Sequence, residues 1–227
     1  GNAFKAGSKT LIKDVIVDNI MVPAITPSAG KVSELIAGCI SFVKDRVGDM
    51  YDKLQREPKV DDILKAMQEK GIEAKDVSLI FITHGHIDHY GSVFELLKVM
   101  DVPVAIHYGD EVYLRRGKQG PLYPVNFTAS LIKVVGKRLR VKSRFVPRQQ
   151  LVFEDDLDLA EYGVEGRLIP TPGHTQGSAT LVLADGRAVS GDLVVRRYLR
   201  WGPAGPPPFL HDVGQFRHSL QLLREYG

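Results

Sequence analysis

Residues 77–91 read VSLIFITHGHIDHYG, and this stretch decides the fold. Its first part, Val77–Thr83, is a near-continuous apolar run rich in β-branched residues, which predicts a strand buried on both faces. A polar loop follows, and periodic apolar positions from Val93 to Met100 then predict a helix. Val102–His107 predicts the next strand, so this segment forms a βαβ-like unit.

Three histidines and an aspartate fall within six positions of the loop, in the pattern H-x-H-x-D-H. His84 and His86 stand two apart in extended chain, so their rings point the same way. Asp88 and His89 follow where the chain turns into a helix, so they face a second point nearby. Imidazoles and a carboxylate, with no cysteine, are typical ligands of Zn²⁺ or another transition metal at a catalytic site. The competing interpretation is a polar loop that happens to be rich in histidine.

Two later turns carry further candidate ligands. Residues 171–178 read TPGHTQGS between two predicted strands, where proline and glycine bend the backbone and present His174. Residues 190–192 read SGD and place Asp192 at a strand end. Each turn taken alone would be ordinary, so both gain their significance from the histidine cluster.

The whole chain, residues 1–227, is predicted to form one layered α/β domain, because helices alternate with strands early and strands dominate later. Asp110 is predicted to be the N-cap of a short helix that ends at Arg116. Residues 117–136 are predicted to be rich in loops. Residues 212–226 are predicted to form a final amphipathic helix with Asp212 as its N-cap.

Together these segments resemble the metallo-β-lactamase superfamily, in order and in approximate spacing. The resemblance implies an αββα sandwich with metals at one edge of its two sheets. The resemblance implies that a first metal is held by His84, His86 and His174. It implies that Asp88 and His89 contribute to a second metal, and that Asp192 bridges the two metals. The implied cofactor is Zn²⁺, with one or two ions per chain, and iron or manganese are the alternatives.

The implied function is a metal-dependent hydrolase that uses a metal-bound hydroxide on an ester, thioester, lactam or phosphodiester. Asp88 is the candidate catalytic residue, because its carboxylate can orient the nucleophile or accept its proton. Thr83 and Thr175 are candidates for hydrogen bonds to the ligands, although ordinary turn hydroxyls are an equally good interpretation. The expected partner is a small-molecule substrate, for which an anionic character stays open.

Two departures from the family's pattern leave alternatives open. The family's last ligand histidine would follow a strand beyond Gly227, and residues 10–15 lack the glycine of the usual Asp-x-Gly turn. The sandwich is therefore expected to be incomplete at both ends. Either the chain is truncated or altered, or the second metal is weak or absent. His211 and His218 are poor substitutes for the absent ligand. The rival function is a non-catalytic or engineered metal-binding scaffold, and a second copy of the chain could complete the sheet.

Net charge, apolar content and cysteine content bear on which binding partners and which cellular compartment to expect. Thirty basic and 27 acidic residues give a net charge of +3, which does not itself indicate a nucleic-acid or membrane partner. No stretch approaches the ~20 apolar residues of a membrane helix. Cys39 is the single cysteine and cannot form an internal disulfide; with no visible signal peptide, the expected compartment is the cytoplasm.

Residues 138–145 alternate basic with other side chains and predict a strand with one basic face. A solvated edge strand, protected from aggregation by its charge, is the favoured interpretation. The alternative is a surface for phosphate, nucleic acid or an anionic thioester, which would make this chain a nucleic-acid-processing member of the superfamily. That function is less favoured, because the chain has no room for a large inserted domain.

Overall fold

A computed structural model describes residues 60–136, 146, 150–196 and 204–226. Residues 10–15 and the predicted basic strand over 138–145 lie outside the described residues. Every helix in the described ranges is too short or too polar to cross a lipid bilayer.

The elements alternate between helix and strand early in the chain, and strands dominate its second half, as predicted. The helices are α1 (Val60–Glu69), α2 (Ile87–Tyr90), α3 (Val93–Leu96), α4 (Tyr108–Arg116), α5 (Phe127–Gly136) and α6 (Val213–Arg224). The strands are β1 (Ile80–Ile82), β2 (Val104–His107), β3 (Gln150–Phe153), β4 (Leu157–Asp158), β5 (Gly166–Pro170), β6 (Ala179–Leu183), β7 (Ala188–Val189), β8 (Val195–Arg196) and β9 (Ala204–Gly205). Single 3₁₀ turns lie at Ala74–Asp76, Ala160–Tyr162 and Gly191–Leu193.

The first sheet is parallel, in the order β1-β2-β3, and is covered on both faces. Ile80 and Ile82 pack with the helices on one face, whereas Leu79 and Phe81 belong to the core on the other face. This double burial explains why the sequence there is a continuous apolar run. The strand is shorter than the predicted Val77–Thr83, because its ladder with β2 pairs three residues only.

The second sheet is antiparallel, in the order β4-β5-β6-β7, and packs against the first through an apolar core. Leu79 and Ala105 of the first sheet meet Leu168 and Leu181 of the second there. Helix α6 contacts the turn after β5, where the hydroxyl of Ser219 donates to the carbonyl oxygen of Pro172 at 2.7 Å, and its Phe216 packs in a third apolar cluster. These layers agree with the αββα sandwich that the resemblance implies.

The helix termini correct two predictions and confirm a third. The N-cap of α4 is His107, whose Nδ1 accepts the N–H of Gly109 at 3.1 Å, and Asp110 lies inside the helix. The supposedly loop-rich segment ends in helix α5, where Asn126 Oδ1 accepts the N–H of Ala129 at 2.8 Å. Asp212 caps α6 as predicted.

The two sheets are joined at the point where the histidine-rich loop begins. The N–H of Ala179, at the start of β6, donates to the carbonyl oxygen of Thr83 at 2.9 Å. The loop after β1 and the turn before β6 therefore lie side by side. The carboxyl end of β2 lies at the same edge, because β1 and β2 are parallel.

We expect the inter-sheet core to dominate stability. Leu168 is fully buried in it, whereas Val152 on β3 is 42% exposed. Leu168→Ala should lower the free energy of unfolding by about 2–4 kcal/mol, because it leaves a cavity between the sheets. Val152→Ala, the matched control, should change it by less than about 1 kcal/mol. Urea denaturation of the metal-free protein measures both, and equal losses would contradict this assignment of the core.

Candidate metal centre

Three histidines come from two turns at the edge where the sheets meet. His84 lies two residues after the end of β1, and His86 is the N-cap residue of α2. His174 lies in the turn between β5 and β6. All three are buried, with exposed fractions of 1–3%. Burial of three neighbouring imidazoles is costly unless their nitrogens find partners.

The ring nitrogens of these histidines converge on one point. Nδ1 of His86 lies 3.0 Å from Nε2 of His84 and also 3.0 Å from Nε2 of His174. The outward nitrogens contact oxygen atoms: Nδ1 of His174 lies 2.8 Å from the carbonyl oxygen of Phe209, and Nε2 of His86 lies 3.5 Å from that of Pro121.

These outward contacts assign the protons of the rings. A carbonyl oxygen only accepts, so Nδ1 of His174 and Nε2 of His86 must donate. Their inward nitrogens then present lone pairs to each other at 3.0 Å, an arrangement that repels unless a cation lies between them. A tetrahedral Zn²⁺ with bonds of about 2.0–2.1 Å separates its ligand nitrogens by about 3.3 Å. The three rings therefore fit a metal ion.

A second group adjoins the first. His89 is buried, and its Nε2 has no hydrogen-bond partner within the described part of the chain. That nitrogen lies 3.4 Å from Oδ1 of Asp192 and 3.8 Å from Oδ2 of Asp88. Oδ2 of Asp192 lies 3.6 Å from Nε2 of His174, so Asp192 stands between the two groups. An orphaned buried nitrogen beside two carboxylates fits a second cation.

The electrostatics of the two groups differ. Burial lowers the pKa of His84 well below its ordinary value, and burial together with His174 lowers that of His86 to about 4. Burial also lowers the pKa of His89, but the carboxylates of Asp88 and Asp192 outweigh it, so the net pKa is raised. Burial opposes the charge of Asp192, yet His89 and the other imidazoles hold its pKa at about 2. Protonation is therefore disfavoured at His84 and His86, which leaves their nitrogens free for a cation, and is favoured at His89.

A close backbone approach brings Asp192 to this position. Gly191 has φ +52°, and a Cβ there would lie 2.6 Å from Oγ1 of Thr83. Thr83 Oγ1 in turn lies 3.1 Å from Nδ1 of His84 and 3.4 Å from Nδ1 of His89. The hydroxyl therefore contacts the outward nitrogens of one histidine from each group.

The structure brings together all six residues that the sequence singled out as ligands. His211 and His218, the poor substitutes for a seventh ligand, are exposed. Thr175 contacts Asp110 instead of a histidine, through Oγ1 and Oδ2 at 2.6 Å. The sequence reasoning missed Asp110 as part of the site. Its position just after β2, at the carboxyl edge shared with β1, was the signal that could have revealed it.

A protein-family model and two known proteins match this chain. The family model described as the metallo-beta-lactamase superfamily matches residues 51–227. "Probable metallo-hydrolase MJ0888" of Methanocaldococcus jannaschii is 26% identical over 163 residues, which cover 71% of this chain and 68% of that protein. "Probable metallo-hydrolase YflN" of Bacillus subtilis is 34% identical over 140 residues, 59% of this chain and 50% of that protein. The chain thus spans half the length of YflN.

One solved structure with a similar fold is TTHA1623 in a di-iron-bound form. It superposes with a TM-score of 0.50 at 20% sequence identity, over 75% of this chain and 73% of that one. At this identity the likeness establishes the fold alone.

Proposed function

Because the chain belongs to the metallo-beta-lactamase superfamily, we propose that it is a metal-dependent hydrolase. The observation that carries the proposal is the convergence of three inward-facing imidazole nitrogens at 3.0 Å. The proposed ligands are His84, His86 and His174 for a first ion, Asp88 and His89 for a second, and Asp192 between them. A bound metal ion supplies Lewis-acid polarisation of a substrate oxygen and lowers the pKa of a water molecule.

The chain's own residues orient this site and handle the proton. Phe209 accepts the outward N–H of His174 at 2.8 Å and so fixes the ring that faces the other two histidines. Asp88 is the most exposed of the six side chains, at 35%, and a carboxylate reachable by substrate can accept the proton of the attacking water. Asp192 keeps its negative charge, since its pKa is about 2, and balances the cations.

Zn²⁺ is the proposed ion, because buried imidazoles with carboxylates suit it. Iron, the metal named for TTHA1623, and manganese are the alternatives. The proposed substrate is a small molecule with an ester, thioester, lactam or phosphodiester bond, and the proposed compartment is the cytoplasm. A second copy of the chain could complete the sheet, and measuring the oligomeric state in solution tests this.

Metal content and a substrate panel test the function. The purified protein should carry at least one transition-metal ion per chain by elemental analysis. Nitrocefin, a thioester, a lactone and bis-p-nitrophenyl phosphate represent the four bond types, each assayed after loading with Zn²⁺, Fe²⁺ or Mn²⁺. Hydrolysis of one of them that disappears with chelator supports the proposal. A chain that binds none of the three metals would refute it.

The two ions should bind unequally. Within the described residues the second ion has three proposed ligands, one of them shared, and His89 can coordinate only in its neutral form. Because the pKa of His89 is raised and those of His84 and His86 are lowered, acidification protonates His89 first. Titration of the metal-free protein with Zn²⁺ should therefore show a tight and a weak site, with the weak site lost first as the pH is lowered. Two sites of equal affinity and equal pH dependence would contradict this order.

A further inference from the structure

We propose that Asp110 is a positioning residue that holds the two ligand-bearing turns in register, so that His174 meets His84 and His86. This inference rests on the proposed metal site. In the described part of the chain the hydrogen bonds of the Asp110 carboxylate go to backbone and hydroxyl groups next to the proposed ligands, and none goes to a ligand side chain.

The carboxylate of Asp110 connects three segments that are far apart in sequence. It is 1% exposed. Oδ2 accepts the N–H of Gly85, between His84 and His86, at 2.7 Å. Oδ1 accepts the N–H of Gly177 at 3.1 Å, and Oδ2 also accepts the hydroxyl of Thr175, next to His174, at 2.6 Å. One side chain on α4 therefore binds both turns of the first ligand set.

The hydroxyls of Thr175 and Ser178 continue the hydrogen-bond network that begins at Asp110, and each of them has a partner. Thr175 donates its hydroxyl to Asp110, so the hydroxyl of Ser178 donates to Thr175 Oγ1, 2.8 Å away. Ser178 Oγ in turn accepts the N–H of Thr175 at 3.0 Å. A buried network in which every donor has an acceptor rigidifies the turn that contains it.

Glycines at both contact points allow α4 to approach this closely. A Cβ at Gly177 would lie 2.4 Å from the backbone nitrogen of Asp110, and a Cβ at Gly85 would lie 3.1 Å from the Cβ of Asp110. A Cβ at Gly109 would lie 2.9 Å from backbone atoms of Gln176 and Gly177. The first turn of α4 is therefore in contact with both ligand turns, with no space for a shifted arrangement.

An acidic residue in the first turn of a helix is ordinarily explained by the helix dipole. The contacts of Asp110 differ from that case, because its three hydrogen bonds all come from outside α4. The helix cap is provided separately by His107. The carboxylate is therefore used for tertiary contacts between turns.

The test is Asp110→Asn, which keeps the shape of the side chain but turns one acceptor oxygen into a donor. Wherever the NH₂ group points, it faces an N–H or a hydroxyl that needs an acceptor. We expect Zn²⁺ affinity at the tight site, measured by competition with a chromophoric chelator, to fall at least about tenfold. The absorption spectrum of the Co²⁺-loaded protein should also change, because it reports the geometry of the ligands.

Leu168→Ala is the matched control, since it destabilises the core without touching the turns. It should lower the melting temperature at least as much as Asp110→Asn, yet leave Zn²⁺ affinity and the Co²⁺ spectrum unchanged. Equal affinity losses in the two variants would show a merely structural role and overturn the inference. Wild-type affinity in Asp110→Asn would overturn it as well, whereas a wild-type protein that binds no metal would refute the proposed function.

A second pair of variants tests the same contact if Asp110→Asn does not fold. Thr175→Val removes one of the three bonds to Asp110, and Thr175→Ser keeps the hydroxyl. Zn²⁺ affinity should fall several-fold in Thr175→Val and return to within about twofold of wild type in Thr175→Ser. Equal affinities in the two variants would count against the positioning role.

Discussion

Replacing His86 with alanine is expected to abolish metal binding and hydrolysis together. Its Nδ1 is the atom that lies 3.0 Å from both other inward nitrogens, so the variant removes the central one of the three proposed ligands of the first ion. Zn²⁺ affinity should fall at least about a thousandfold, because two buried imidazoles cannot replace a third. Activity on whichever substrate of the panel is hydrolysed should fall by a similar factor, about 4 kcal/mol in the activation free energy.

The matched control is His218→Ala, which removes an exposed histidine from α6. It should retain wild-type metal content and activity. Circular dichroism establishes that His86→Ala still folds, and elemental analysis and the hydrolysis assay then compare the two variants. A folded His86→Ala protein that keeps its metal and its activity would show that the site lies elsewhere. If the metal is lost and activity remains, the reaction does not need the metal and the proposed function is wrong.

His84, His86, Asp88 and His89 could be singled out as candidate ligands because their signal is local. A buried strand followed at once by H-x-H-x-D-H fixes where those side chains begin, whatever the rest of the chain does. His174 and Asp192 lie in turns that would be ordinary on their own, and they became candidates through the resemblance to the superfamily. What no local pattern reveals is distance: His86 and His174 lie 3.0 Å apart at the edge where the N–H of Ala179 bonds to Thr83 across the two sheets.

Asp110 shows why the rest of the site could not be predicted. In sequence it is an acidic residue near the start of a helix, and the helix alone explains such a residue. Its function depends on Gly85 and Gly177, which are 25 residues before it and 67 residues after it. Helix α5 was missed for a different reason, since its β-branched residues gave no clear periodicity and the cap at Asn126 was the only clear signal.

Gly173 is the position at which the fold should tolerate a side chain least. Its φ is +142°, and a Cβ there would lie 2.4 Å from the Cα and 2.6 Å from the backbone nitrogen of Phe216. Those atoms belong to α6 and cannot rotate away as a side chain would. Gly173→Ala should therefore lower the free energy of unfolding by more than about 3 kcal/mol, with contributions from backbone strain and from displacement of the helix.

The same change should cost metal affinity, because the turn is tied to the chain that precedes α6. The carbonyl oxygen of Gly173 accepts the N–H of Asp212 at 3.1 Å, and that of His174 accepts the N–H of His211 at 3.2 Å. If Gly173 moves away from Phe216, His174 moves with it and leaves Phe209, which accepts its ring N–H. We expect Zn²⁺ affinity at the tight site to fall at least about tenfold.

Gly186→Ala is the matched control for Gly173→Ala, because it introduces backbone strain without a clash between the new Cβ and a neighbouring element. Gly186 also has a positive φ, +84°, but a Cβ there meets nothing within 4 Å. This variant should lose only about 1–2 kcal/mol, the ordinary cost of a left-handed residue, and should bind Zn²⁺ as the wild type does. Urea denaturation of the metal-free proteins and chelator competition measure both quantities. If the two variants lose similar amounts of unfolding free energy and of Zn²⁺ affinity, backbone strain alone accounts for both losses. Contact between the turn and α6 would then not be what positions His174.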